Sequence, residues 1–184
     1  MKTRNLVAVA MSAFVLVGCA AEEADSPPLP YSLTDDAMGR YCGMNVLEHP
    51  GPKGQVILKQ IPEPIWFSSA RDTVAFTLLP EEPKEIAAIY VSDMGKAPTW
   101  EKPGADNWID AKSAFYVVGS RLRGGMGAAE AVPFSSRQDA LSFTERHGGQ
   151  IVGFGNIPQD YVLGADGASP ALTSFSEPTE ASHD

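Results

Sequence analysis

Cysteine and histidine are both scarce in this chain of 184 residues, which holds two of the first and three of the second. One thiol pair, and one that is soon divided, excludes a disulfide framework, and a structural zinc site wants four nitrogen or sulfur ligands. Positive charge is also short. Fourteen Lys and Arg face twenty-three Asp and Glu, a formal charge of −9, and the loss of Lys2 and Arg4 with an N-terminal signal would take it to −11. An acidic chain of that kind is a poor partner for nucleic acid.

What is present begins at the N-terminus. Lys2 and Arg4 precede an apolar run from Leu6 to Val17 that closes on Leu16-Val17-Gly18-Cys19. That run is too short and too early for an ordinary spanning helix. It resembles a bacterial lipoprotein signal over residues 1–18, in which cleavage leaves Cys19 lipidated on sulfur and acylated on its amine. Several acyl chains, at about 0.8 kcal/mol per buried methylene, make a stable anchor where one would be marginal. Residues 19–34 follow as a small, acidic, Pro-containing stretch, expected to be a flexible tether. Residues 165–184 have too few apolar side chains to fold and are expected to be a disordered tail. The folded domain is expected over 35–164.

Lipidation of Cys19 leaves Cys42 as an odd thiol in an oxidising compartment. Metal binding, mixed-disulfide chemistry and burial as a small hydrophobe are its three possible uses. Cys42-Gly43-Met44 favours the first, because a thiolate beside a thioether selects soft Cu(I). Beyond the signal every methionine neighbours a glycine: Met38, Met44, Met94 and Met126. Met126, in the loop Arg123-Gly124-Gly125-Met126-Gly127-Ala128, is placed to fold over Cys42 and Met44. Gap filling is the competing reading for Met126 and the preferred one for Met38 and Met94.

The domain repeats itself. Phe67-Ser68-Ser69 with Asp72, Val74, Phe76 and Thr77 recurs as Phe134-Ser135-Ser136 with Asp139, Leu141, Phe143 and Thr144, at a constant offset of 67 residues. Ser69 to Asp72 and Ser136 to Asp139 each read as a helix-opening cap. Pro80 and Gly148 supply the stops. Strand signals at 56–58, 65–67 and 86–91 surround the first helix, and those at 115–118, 131–134 and 151–154 surround the second. The prediction is an α+β domain of two strand-strand-helix-strand halves, about 35–95 and 110–164, sharing one core. Residues 92–110 between them are expected to be a long loop.

Tyr41-Cys42-Gly43-Met44, Glu48-His49-Pro50-Gly51-Pro52-Lys53-Gly54-Gln55, Trp66-Phe67-Ser68, Ile89-Tyr90-Val91-Ser92-Asp93-Met94-Gly95, Gly124-Gly125-Met126-Gly127 and Ala131-Val132-Pro133-Phe134 resemble the NosL family of lipoproteins. The resemblance covers essentially all of residues 35–164. It implies a Cu(I) metallochaperone without catalysis of its own, held at the periplasmic face of a bacterial membrane. It also implies that copper passes to an ABC-type complex, NosDFY, for the copper-sulfide cluster of nitrous oxide reductase. The implied fold is similar to the organomercurial lyase core. The implied ligands are Cys42, Met44 and Met126. Some relatives carry histidine where this chain has Arg40, so a fourth ligand is expected from Met94, a water or a partner residue. Two alternatives remain at this point: a docking lipoprotein with a buried Cys42, and a thiol enzyme of the lyase type, which a single mature cysteine disfavours.

Three histidines add little by sequence alone. His49 lies in a Pro/Gly turn and reads as solvated, His147 as a cation favoured at a helix C-terminus, and His183 as part of the tail. Trp100 and Trp108 read equally as a docking patch or as packing over the core. Arg121 and Arg123 read as a solvated face, since their spacing with glycine matches no phosphate loop.

Overall fold

The computed structural model describes residues 26–164. The signal, Cys19, the expected tether up to residue 25, and the tail lie outside the described residues. Among the described residues no helix is long and apolar enough to cross a membrane.

The first half runs β1 (Gly54–Leu58), β2 (Ile61–Phe67), α1 (Ala70–Leu78) and β3 (Ile86–Ser92). After β4 (Trp108–Asp110), the second runs β5 (Phe115–Val118), β6 (Val132–Phe134), α2 (Arg137–His147) and β7 (Gln150–Gly153), and α3 (Gln159–Leu163) closes the chain. The strand orders are β2-β1-β3-β4 and β6-β5-β7, all pairs antiparallel. Each half thus places its first strand between its second and its last, so the sequence repeat is also a topological one. Pro62 and Pro64 fall in β2 and Pro133 in β6, both edge strands, where a residue without N–H is tolerated.

Both helices start as the caps predict. Ser69 accepts from the Asp72 amide at 3.3 Å and Ser136 from the Asp139 amide at 3.4 Å. α2 ends on Gly148 at φ +74°, a backbone position that favours glycine.

The main core draws on both halves. Val56, Phe67, Val74, Phe76, Ile89 and Val91 pack with Tyr116, Val118, Ile157 and Tyr161. A second cluster of Val117, Val132, Phe134, Ala140 and Phe143 fills the space under α2, so one shared core is accompanied by a satellite belonging to the second half.

Two segments differ from expectation. Residues 92–110 are not loop throughout, because Trp108–Asp110 pairs with β3 as β4. The stretch from Pro28 to Thr34 is a strap on the domain rather than a free tether. Tyr90 donates its hydroxyl to the Pro28 carbonyl at 2.7 Å, and the Tyr31 backbone exchanges two 2.9 Å hydrogen bonds with the Gln55 amide. Leu33 is buried with Ala37 and Val46 against Trp66 and Trp108. A short Pro-containing sequence stays attached here because one buried leucine and several hydrogen bonds offset its ordering entropy.

Candidate metal centre

The Cys42 loop is a closed turn fixed to the end of β2. Gly39 donates its N–H to the Met44 carbonyl at 2.9 Å, and Gly43, at φ +64°, donates to Gly39 at 2.8 Å. Arg40 donates its backbone N–H to the Trp66 carbonyl at 2.8 Å. Its guanidinium bonds Glu82 at 3.1 Å, and the Tyr41 hydroxyl donates to the other oxygen of Glu82, also at 3.1 Å. Arg40 and Tyr41 therefore clamp the turn from outside while the backbone closes it from within.

Cys42 is half-buried, with Sγ 3.6 Å from Ser68 Oγ and near the carbonyls of Met44 and Gly39. A Cβ on Gly39 would stand 2.6 Å from that sulfur, so glycine is what makes room for it. Met44 is 38% exposed and Met126 53%, which removes gap filling as an account of either. Met38, read above as a gap filler, is likewise exposed and bridges Asn45 beside the turn. Met94 does fill a gap, packed against the satellite core under α2 with its amide on the Pro133 carbonyl.

His49 is packed against the Met126 loop, which the expectation of a solvated histidine missed. Its Nδ1 lies 3.3 Å from the Gly125 carbonyl, and its Nε2 is buried without a hydrogen-bond partner. Gly125 permits the approach, since a Cβ there would meet His49 Cβ at 2.4 Å. With Nδ1–H donating to the carbonyl, the free lone pair is on Nε2. That is the arrangement of a metal-binding imidazole, whose other nitrogen is held by a backbone carbonyl. Composition favoured solvation because it could not register the second loop.

Beneath the turn lies Lys53, buried at the head of β1. Nζ donates to the carbonyls of His49 at 2.5 Å, Pro50 at 3.2 Å and Ser68 at 3.5 Å. Burial lowers its pKa to about 8, opposed by the charges of Glu130 and Cys42. Glu130 is wholly buried before β6 and is pushed up to about 7 by burial, against hydrogen bonds from the amides of Arg71 and Ala131 and the hydroxyl of Ser69. Its free oxygen abuts Gly124, where a Cβ would come within 2.5 Å. Neither charge was singled out from sequence, because a buried Lys or Glu looks there like an exposed one.

Other expectations sort themselves by packing. Trp100 stacks on Phe143 and covers Gly51, and Trp108 packs on Trp66, so both are committed to the fold. Arg121 donates to the Arg146 carbonyl at the end of α2. Burial, then the charges of Arg146 and Arg121, lower the pKa of His147, against the expected stabilised cation.

Among the described residues no group of three or more His, Cys, Asp and Glu could hold a metal ion. The candidate donors are a thiol, exposed thioethers and one imidazole, residue types that suit a soft monovalent ion and offer little to a hard cation.

Comparison with known proteins gives consistent results. A family model described as NosL matches residues 30–162. A copper-binding lipoprotein NosL from Achromobacter cycloclastes is 46% identical over 164 residues, 89% of this chain and 85% of that one. One of the same name from Stutzerimonas stutzeri is 40% identical over 156 residues, 84% and 80% of the two chains. The crystal structure of the copper chaperone NosL from Shewanella denitrificans superposes with a TM-score of 0.67 at 36% identity, covering 72% of this chain and 98% of that one.

Proposed function

From the premise that this chain belongs to the NosL family, we propose that it is a lipid-anchored Cu(I) metallochaperone of the periplasmic face, tethered through Cys19 and without catalysis of its own. Its cargo is held by Cys42, Met44 and Met126, with His49 Nε2 as the nitrogen donor.

The observation that carries this reading is the Cys42 turn. A half-exposed thiol sits beside an exposed thioether on a turn held by backbone, cation and tyrosine contacts, while a buried, carbonyl-bonded lysine supplies positive charge nearby. A docking lipoprotein would have no use for such a turn, and a thiol enzyme would need a second cysteine, which the described residues do not contain.

Exposure of the sulfurs suits transfer. A ligand of the recipient approaches the metal from solvent and bonds to it before the donor sulfurs leave, so copper is never free. The recipient we infer is the ABC-type NosDFY complex, and the eventual destination the copper-sulfide cluster of nitrous oxide reductase.

Anaerobic Cu(I) titration of the fragment following Cys19, against a competing chelator, tests the binding. Tight uptake near one copper per chain, or per pair of chains, is expected to be lost in Cys42→Ser and weakened in Met44→Ala and Met126→Ala. Weak uptake indifferent to all three would overturn the site. Delivery is tested in cells, where Cys42→Ser is expected to leave nitrous oxide reductase without its cluster.

A further inference from the structure

We propose that the end of the first sheet formed by the β1–β2 hairpin faces the lipid bilayer, so that Cys42, Met44 and Met126 are presented on the side turned away from it. The inference rests on the anchor at Cys19 and adds a direction to it.

The strap supplies that direction. Ser26 to Pro28 lie beside Leu58, Lys59, Gln60 and Ile61 at the hairpin and beside Ile86 at the start of β3. The chain then runs along the sheet. Tyr31 bonds Gln55, Leu33 packs on Trp66, and Gly39 and Arg40 reach the end of β2, where Trp66 and Phe67 lead into Ser68. Strap entry and metal turn therefore occupy opposite ends of β2. Its seven residues at about 3.3 Å each put the two ends about 20 Å apart.

The tether is short on that scale. From Cys19 to Ser26 the chain has seven peptide links, which reach at most about 25 Å when fully extended. With the hairpin toward the bilayer that reach exceeds what the path requires. With the metal turn toward the bilayer the segment has to run back past the whole sheet, about 20 Å of the at most about 25 Å it can span, which leaves it few conformations. Side chains at the hairpin suit a lipid surface. Ile61 is 47% exposed, and exposed Lys59, two residues before it, brings a headgroup-compatible charge.

The full-length lipidated protein, reconstituted into phosphatidylethanolamine and phosphatidylglycerol vesicles carrying headgroup-spin-labelled lipid, tests the orientation. In a Cys42→Ser background, one fluorophore is attached at Gln60→Cys at the hairpin or at Glu48→Cys on the metal side, both exposed positions. Quenching at position 60 is expected to exceed that at 48 at least threefold. A 20-residue Gly/Ser insert between Asp25 and Ser26 is expected to abolish the difference. Equal quenching with the native tether, or stronger quenching at 48, overturns the orientation while vesicle sedimentation still supports the anchor. Failure to sediment, matching a Cys19→Ser control, overturns the anchor and the orientation with it.

Discussion

Glu130 Oε1 lies 2.8 Å from the backbone nitrogen of Arg71, so a carboxylate from the second half caps the first turn of the first half's helix. Asp93, at the end of β3, does the reverse. Its two oxygens accept from the Ser135 amide at 3.1 Å and the Ser135 hydroxyl at 2.5 Å, immediately before α2. Each half therefore places a buried acid at the helix start of the other. The repeat diverges at the serine that precedes each cap. Ser135 Oγ meets a carboxylate, whereas its counterpart Ser68 meets the sulfur of Cys42. The Cys42 turn occupies the place where the second half meets a structural acid.

Glu130 makes stability depend on pH. In the unfolded chain its carboxyl ionises near its usual 4.5, whereas burial holds it protonated to about 7 in the fold. Its contribution is thus fully present below 4.5 and is lost as pH rises to 7, by on the order of 3 kcal/mol. Burial also raises the pKa of half-buried Asp72, which acts in the same direction, so the measurement is a difference. Urea unfolding at pH 5 and pH 7.5 is expected to show a smaller change for Glu130→Gln than for the native protein. Identical changes in the two proteins would remove Glu130 as the cause.

The repeat was legible because caps are local. Ser69 and Ser136 bond amides three residues on, and such spacing is visible in sequence. What stayed hidden depends on long-range packing. Trp108–Asp110 is only three residues, set in a Pro/Gly-rich stretch, and becomes a strand through β3. Pro28 to Thr34 carry the composition of a tether, and their attachment depends on Gln55, Tyr90 and the two tryptophans. Among the candidate donors, Cys42 and Met44 are visible by adjacency, while the contact of His49 with the Gly125 carbonyl depends on a loop 76 residues further on.

Two glycines separate local geometry at the sulfur from global stability. Gly39→Ala sets a methyl 2.6 Å from Cys42 Sγ, which must move, whereas Gly54→Ala sets one 1.8 Å from Thr73 Oγ1 inside the fold. Gly39→Ala is expected to weaken Cu(I) binding at least tenfold with little change in melting. Gly54→Ala is expected to lower stability by about 1–3 kcal/mol, as overpacking does. Calorimetry and Cu(I) competition on both proteins check the contrast, and native affinity in Gly39→Ala would contradict it.

His49 is tested at one atom. Its Nε2 is buried and unpartnered while Nδ1 faces the Gly125 carbonyl. Adding Cu(I) to ¹⁵N-labelled protein is expected to shift the Nε2 resonance strongly and leave Nδ1 protonated. Gly125→Ala, by pressing on His49 Cβ, should reduce that shift. An Nε2 signal indifferent to copper would leave the sulfurs as the whole ligand set.

Lys53 holds the layer on which all of this stands. Its ammonium is the shared donor to the carbonyls of His49, Pro50 and Ser68, and so links the residue that reaches the Met126 loop to the residue that touches Cys42 Sγ. Lys53→Met keeps the length of the side chain but removes every one of those bonds. Buried carbonyls left unpaired cost about 1–3 kcal/mol each at most, and some recover partners by local relaxation, so a loss of about 2–4 kcal/mol is expected in urea unfolding. Unchanged urea unfolding in Lys53→Met would mean that the three carbonyls find other partners and that Lys53 is not what ties these segments together.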